Sequence, residues 1–242
     1  MATRTASAPA AQSGRLWRNI RRFSNALIVI GVAILLYAGV ILAWGDPVTW
    51  VWAHWQQHQM AGQLSKLEQR YQRPTPSGDG AARALLAEEA EKFRAQAHEG
   101  DPLGRLIVGR IGLNAIFVQG TSRFGALDKG PGHYEETPLP GEPGTVGIAG
   151  HRTTFGAWFR HIDSIRDGDY IELRMPYGTF KYRVEYHRIV DWEGTRSSIV
   201  KNVGYPRLIL SACHPLYSAD KRWIVYARGV SVRMPDGRTL KL

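Results

Sequence analysis

The chain is poor in cysteine, because Cys213 is the only thiol among its 242 residues. A single cysteine excludes a disulfide within the chain, so no disulfide framework supports the fold. The sequence also lacks internal repeats, long low-complexity tracts and any histidine and carboxylate cluster with metal-ligand spacing. These absences argue against a disulfide-rich module, a repeat protein and a metalloenzyme, and we predict no metal and no cofactor.

Acidic residues are absent before Asp46, whereas five arginines precede the first long apolar run: Arg4, Arg15, Arg18, Arg21 and Arg22. That run, ALIVIGVAILLYAGVILAW at 26–44, contains no charge. A helix of this length spans about 28 Å, close to the thickness of a bilayer's hydrocarbon core. The positive-inside rule then predicts a cytoplasmic basic segment at 1–22, a transmembrane helix at 23–45 and an extracytoplasmic remainder.

A cleaved secretory signal is the alternative for this segment, since it follows arginines and ends in the small-residue pattern AWG. Its apolar run exceeds the roughly 7 to 15 residues of a signal core. Trp44, Trp50, Trp52 and Trp55 then follow, either as an interfacial aromatic belt or as helix-packing residues. In both cases the main domain is exported.

The formal net charge of +10 raises the question of a nucleic-acid partner. Five of the cations belong to the N-terminal flank, and the others are scattered without a basic run or a nucleic-acid motif. We therefore predict no nucleic-acid partner and interpret the charge as a solvated surface facing an anionic cell envelope.

The middle of the chain has helical composition at 47–72 and 81–98, interrupted by RPTPSGDG at 73–80. Its apolar positions are too few for an independent core, so 46–101 is predicted to be a partly helical stalk. The residue composition changes at Pro102. From there the chain has short runs rich in β-branched and aromatic residues, among them GRLIVGRIGLNAIFVQG, TFKYRVEYHRIVDW, PRLILSAC and RWIVYARGVSVRM.

These runs predict a mainly β domain at 102–242, a closed β-barrel with short helices. One run has the period of two that is typical of a half-buried strand, with Phe180, Tyr182, Val184 and Tyr186 alternating with Lys181, Arg183, Glu185 and His187.

Cys213 follows the apolar run RLILSA, at the end of a predicted strand. A lone cysteine is often only a small buried hydrophobe, whereas a nucleophilic cysteine needs a neighbouring base or cation. His151 likewise follows an apolar run, VGIAG, and Arg222 begins the next strand, from which it would return to Cys213 and stabilise an oxyanion. Each also has a structural alternative, as a packing histidine or a strand-edge cation. His214 points to the opposite face and is not expected to be the base.

Taken together, His151 in GHRTTFGAWF, Cys213 in LSACHPLYSADKR and Arg222 at the head of the last long strand resemble the sortase family over residues 102–242. The stretch GPGHYEETPLPGEPGTVGIAGHRTTFGAWF is similar to class E, the housekeeping type of high-GC Gram-positive bacteria. Ile209 and Ala212 depart from the commonest sortase signature, which has threonine at both positions. This departure weakens a class A assignment and fits class E better.

The resemblance implies a sortase-type β-barrel that acts as a cysteine transpeptidase at the cell membrane. It would cleave LPXTG-type sorting signals, LAXTG in class E, between Thr and Gly. Cys213 would attack the threonine carbonyl, Arg222 would stabilise the oxyanion, His151 would protonate the departing amine, and Tyr134 would read the residue after leucine. The implied partners are secreted proteins with a C-terminal sorting signal and an amine of a lipid-linked peptidoglycan precursor.

Other functions remain open at this point. A pilin-polymerising sortase is the nearest, although no DPW-like lid is obvious beyond the GDP sequences at 45–47 and 100–102. A membrane-anchored envelope binding module with an inert cysteine is the non-catalytic alternative. An L,D-transpeptidase is disfavoured because Ala212 replaces the glycine expected before the cysteine, and a papain-like protease because its cysteine precedes its histidine.

Overall fold

The computed structural model describes residues 11–44, 46–71, 75–191 and 193–242. Arg4, residues 72–74 of the proline-containing break and Trp192 lie outside the described residues, as do the side chains of Arg15 and Trp44. The chain divides into two compact units, Met1–Gly45 and Asp46–Leu242.

The first unit contains one long helix, α1, at Ala11–Trp44. Its apolar part, Leu16–Leu42, has 27 residues and a mean hydropathy of 2.5, and none of its most apolar window is buried in the protein. A helix of that length and composition is sufficient to cross a bilayer. The predicted N-terminal apolar helix is therefore present; it begins before the charge-free run at 26–44 and ends with that run at Trp44.

The second unit is built on a closed barrel. Its strands are β1 Pro102–Val108, β2 Leu113–Gln119, β3 Gly132–His133, β4 Thr145–Ala149, β5 Tyr170–Met175, β6 Gly178–Asp191, β7 Arg207–His214, β8 Lys221–Arg233 and β9 Thr239–Lys241. They are ordered β6-β5-β1-β2-β3-β4-β7-β8, and pairing of β6 with β8 closes the barrel while β9 extends β8. The predicted mainly β fold, a closed barrel with short helices, is confirmed.

Two parallel pairings interrupt an otherwise antiparallel barrel. β2 runs parallel to β3, and β4 runs parallel to β7 with Ala149 opposite Ser211. The inner faces of the strands form the main core, which includes Leu106, Phe117 and Leu210. Because β4 and β7 run in the same direction, the residues that follow them emerge at the same end of the barrel.

The alternation predicted for β6 holds only up to a β-bulge. Phe180, Tyr182 and Val184 point into the barrel core, as expected. Pairing with β8 then shifts between Val184 and Tyr186, and an extra residue moves the following side chains to the other face. Tyr186 consequently stacks on Tyr226 outside the barrel core, with ring centroids 4.5 Å apart.

Residues 46–101, expected to form a stalk, contain helices α2 at Pro47–Arg70 and α3 at Asp79–Gln96. Asp46 caps α2, accepting a hydrogen bond from the Val48 amide at 3.0 Å. The buried residues of α3, among them Leu86 and Phe93, belong to the barrel's main core. Both helices therefore lie against the barrel, because their few apolar residues complete its core.

Helix α2 also covers an open strand edge. β2 pairs with β3 only at its last two residues, which leaves the backbone of Ile116 without a strand partner on that side. Gln57 replaces the missing strand: its Oε1 accepts from the Ile116 amide at 2.6 Å, and its Nε2 donates to the Ile116 carbonyl at 2.8 Å. Met60 and Leu64 pack beside it on Ile116 and Val118. The helix is thereby bound to the barrel along its length.

Candidate active site

Cys213 is the penultimate residue of β7 and lies on the outer face of the barrel. Side chains alternate along a strand, and Leu208, Leu210 and Ala212 point into the core. Ser211 and Cys213 therefore share the outer face, and the thiol is half-buried. His214 faces the core side, where its ring contacts Trp223 at a centroid distance of 5.4 Å.

Arg222 lies directly opposite Cys213 in the antiparallel pairing of β7 with β8. Side chains opposed in this way have Cβ atoms about 4.5–5.5 Å apart. The Arg222 Nη1 donates to the carbonyls of Ala219 and Lys221 at 2.8 and 2.9 Å. These bonds hold the guanidinium at the loop between β7 and β8.

His151 reaches the same end of the barrel on the neighbouring strand. Ala149 pairs with Ser211, and the Gly150 amide donates to the Ser211 carbonyl at 3.1 Å. His151 and Cys213 each follow two residues after that pair, so the two parallel strands deliver them side by side. A Cβ on Gly150 would lie 2.6 Å from the ring of buried Phe159, which is why only glycine fits before the histidine.

The surroundings of His151 favour the neutral form of its imidazole. Burial lowers its pKa, and the positive charge of Arg123 lowers it further, while Asp128 acts in the opposite direction. Its buried Nε2 has no hydrogen-bond partner among the residues that the structure describes. A neutral ring with an unused nitrogen is suited to accepting and returning a proton.

The loop after His151 has an unusual backbone. Phe155, Gly156 and Ala157 have φ values of +48°, +81° and +46°. The left-handed region costs a non-glycine residue about 1–2 kcal/mol, so tertiary contacts must maintain this conformation. The Phe155 ring lies 5.6 Å from the His151 ring and meets exposed Phe124 edge-on at 6.0 Å.

Arg152 connects the histidine loop to the cysteine strand, a contact that the sequence did not predict. Its buried guanidinium donates to the carbonyls of Arg160 at 3.0 Å and Cys213 at 3.4 Å, and it pairs with Asp163 at 2.5 Å. A buried arginine gives no hydrophobic pattern, and its partners are distant in sequence. Its position directly after the candidate base was the only available signal.

Tyr134 follows β3 and joins the same cluster. Its hydroxyl is 2.8 Å from Ser211 Oγ, across 77 residues. Burial raises the pKa of Tyr134, and the charges of Arg222 and Cys213 also act on it, so it lies within electrostatic reach of both. Ser211 was overlooked in the sequence, although its spacing of two from Cys213 on a strand already placed both on one face.

The segment that carries Tyr134 is anchored by buried histidine. The His133 ring contacts Gln119 Oε1 at 2.9 Å, the Pro138 carbonyl at 3.1 Å and Thr137 Oγ1 at 2.9 Å. Burial lowers the pKa of His133 to about 4. This residue therefore has a structural role. Across the described ranges, no group of three histidine, cysteine or carboxylate residues is arranged to hold a metal ion.

The structure thus assembles all four predicted site residues at one end of β4 and β7. A thiol can act as a nucleophile, a half-buried imidazole can transfer protons, and a guanidinium can stabilise negative charge. This set of groups is competent for acyl transfer through a covalent intermediate.

Comparison with known proteins matches the barrel to one family. A family model described as the Sortase domain matches residues 106–230. Sortase D of Bacillus subtilis is 34% identical over 135 residues, 54% of this chain and 66% of that protein. Sortase SrtE1 of Streptomyces coelicolor is 26% identical over 226 residues, 88% of this chain and 58% of that protein. The chain therefore spans less than two thirds of the length of either curated relative.

A solved structure gives the same match. The SrtA sortase from Actinomyces oris is 30% identical and superposes with a TM-score of 0.53, covering 59% of this chain and 88% of that chain.

Proposed function

The chain belongs to the sortase family of transpeptidases, and we propose that it is a membrane-anchored, class E housekeeping enzyme that attaches secreted proteins to the cell wall. It would cleave an LAXTG or LPXTG sorting signal between Thr and Gly. The observation that carries the proposal is the pairing of Cys213 with Arg222, with His151 at the same end of the adjacent strand.

The reaction would proceed in two acyl transfers. His151 accepts the thiol proton of Cys213, the resulting thiolate attacks the threonine carbonyl, and Arg222 stabilises the oxyanion. His151 protonates the departing glycine amine, which leaves a thioester on Cys213. An acceptor amine of a peptidoglycan precursor then gives a proton to His151 and attacks the thioester, which forms the new amide and frees the thiol.

Substrate choice would involve Tyr134 and its partner Ser211. Their hydroxyls are joined at 2.8 Å on the outer face that carries Cys213. Tyr134 and Ile199 both pack on Gly147, where a Cβ would lie 2.9 Å from each of them. A tyrosine fixed in this way would present one surface to the residue after leucine. Class E is proposed from the sequence motifs and from the long match to Sortase SrtE1.

The proposed location is the cell membrane, with 1–22 in the cytoplasm, 23–45 in the bilayer and the domain at 102–242 outside. An exposed apolar stripe at the start of α2 supports it: Val48, Val51, Trp52 and Trp55 are 45–66% exposed and have the i, i+3, i+4, i+7 spacing of one helix face. Tryptophan is enriched at membrane interfaces. A shared bilayer would confine enzyme, substrate and lipid-linked acceptor and raise their effective concentration.

The test uses the full chain in lipid nanodiscs, incubated with LAXTG and LPXTG peptides and a glycine-based amine acceptor. Mass spectrometry follows the transferred product and the Cys213 thioester. We expect transfer after threonine, faster with LAXTG, and none with Cys213→Ala. A wild-type chain that is folded yet yields neither thioester nor product from either peptide would refute the proposal. Iodoacetamide separates the non-catalytic alternative, since it should alkylate Cys213 and abolish transfer.

A further inference from the structure

Helix α2 contacts the loop that follows His151 through a hydrogen bond from the loop backbone to a threonine side chain. The Phe155 amide donates to Thr49 Oγ1 at 2.8 Å, across 106 residues of sequence. Thr49 lies in the first turn of α2, where Asp46 Oδ1 also accepts from its amide at 3.5 Å. The acceptor is thus held in place by the cap of the helix.

This hydrogen bond is made at the start of the left-handed stretch 155–157. Within the loop, the Ala157 amide donates to the Thr154 carbonyl at 2.9 Å and the Phe159 amide to the His151 carbonyl at 2.9 Å. Neither of these bonds involves the Phe155 amide. The hydrogen bond to Thr49 therefore holds the backbone amide of the residue whose ring lies 5.6 Å from that of His151.

A second contact between α2 and the loop supports the first. The ring of Trp158 lies 4.9 Å from that of His54, and His54 in turn stacks on Trp50 at 3.8 Å. Gln57, Met60 and Leu64 fix the rest of α2 to β2, as described above. The helix is consequently a rigid support for the loop.

We propose that Thr49 is a positioning residue for His151, and that α2 is part of the catalytic unit. Thr49 holds Phe155 against the imidazole, which keeps the ring oriented and shielded from water. The proposal rests on the proposed role of His151 in proton transfer. It assigns to α2 a task within the active site in addition to joining the barrel to the N-terminal segment.

Loss of the acceptor would release Phe155 and admit water to His151. The other groups that act on His151 are Arg123 and Asp128, both on the segment between β2 and β3. Neither of them belongs to α2, so their charges would persist in a Thr49 variant. Because burial is the main cause of the lowered His151 pKa, hydration would raise that pKa toward 6.5.

The experiment compares Thr49→Val with Thr49→Ser in the full chain in nanodiscs. Valine keeps the shape and removes the acceptor, whereas serine retains a hydroxyl. Thr239→Val is the matched control, because Thr239 is exposed on β9, paired with the end of β8 opposite to Arg222. Peptide transfer gives kcat and KM, and NMR of ¹³C-labelled histidine gives the His151 titration, assigned with His151→Gln.

For Thr49→Val we expect kcat to fall about tenfold, the equivalent of one lost hydrogen bond, with KM changed less than twofold. The His151 titration should move to higher pH. Thr49→Ser should restore both values, and Thr239→Val should leave them unchanged. The idea is overturned if Thr49→Val matches wild type in kcat and titration, or if serine fails to rescue. If the wild type transfers nothing, the proposed function fails, and the titrations still decide whether Thr49 positions His151.

Discussion

Replacement of Arg152 by methionine tests the link between the histidine loop and the cysteine strand. Methionine has a similar length but no donors, so the carbonyls of Arg160 and Cys213 lose their partner and Asp163 loses its cation. The hydrophobic stem remains, which limits any cavity. The variant therefore reports on the hydrogen bonds and the charge of the guanidinium.

The magnitude follows from the geometry of each contact. An unsatisfied buried carbonyl costs about 1–3 kcal/mol. The Arg160 carbonyl, which accepts two bonds at 3.2 and 3.0 Å, should be near the middle of that range, and the Cys213 carbonyl at 3.4 Å near its lower end. Asp163 is 38% exposed, so water compensates it and its ion pair contributes about 1 kcal/mol or less. We expect a loss of about 3 kcal/mol in unfolding free energy.

Urea unfolding of the full chain in detergent micelles, followed by near-ultraviolet circular dichroism, measures this loss by linear extrapolation. The control is Arg174→Met, which breaks a surface pair with Glu172 whose arginine is 52% exposed. That change should cost about 0–1 kcal/mol. Arg152→Lys should lie between the two, since lysine restores the charge and fewer of the bonds. If Arg152→Met costs no more than Arg174→Met, the reasoning about the buried guanidinium is refuted.

Three further predictions concern neighbouring residues. Burial lowers the pKa of His133 from 6.5 in the unfolded chain to about 4 in the folded chain. The folded chain therefore loses about 3 kcal/mol of unfolding free energy as pH falls from 6.5 to 4. His133→Gln should remove that part of the pH dependence in urea titrations, and an unchanged pH dependence would contradict the prediction. Gly150→Ala should destabilise by about 1–3 kcal/mol, because its Cβ meets the buried Phe159 ring, and a wild-type melting temperature would show that the ring yields. Tyr134→Phe and Ser211→Ala should each alter the ratio of LAXTG to LPXTG transfer more than the total rate; equal ratios in wild type and both variants would exclude the hydroxyl pair from specificity.

Local sequence signals determined several features of this protein. The charge-free run predicted the apolar helix, because its length and composition indicate such a helix without knowledge of any tertiary contact. The short apolar runs fixed most of the strands, and the loop between RLILSAC and RWIVYA placed Arg222 beside Cys213, since strands joined by a short loop pair antiparallel. Alternation also placed Cys213 and Ser211 on one face. Each of these signals depends on residues within a few positions of one another.

Tertiary structure alone decided the remaining features. Parallel pairing of β4 with β7 brings His151 and Cys213 to the same end of the barrel. The hydrogen bond between Tyr134 and Ser211 likewise joins residues that are distant in sequence. The bulge in β6 turned Tyr186 outward, and a helix expected to be a spacer reached Phe155 through Thr49. Such contacts join residues far apart in sequence, and which of them form depends on the closure of the whole barrel. A threonine in the first turn of a helix has the same local pattern whether or not an amide lies 2.8 Å from its hydroxyl.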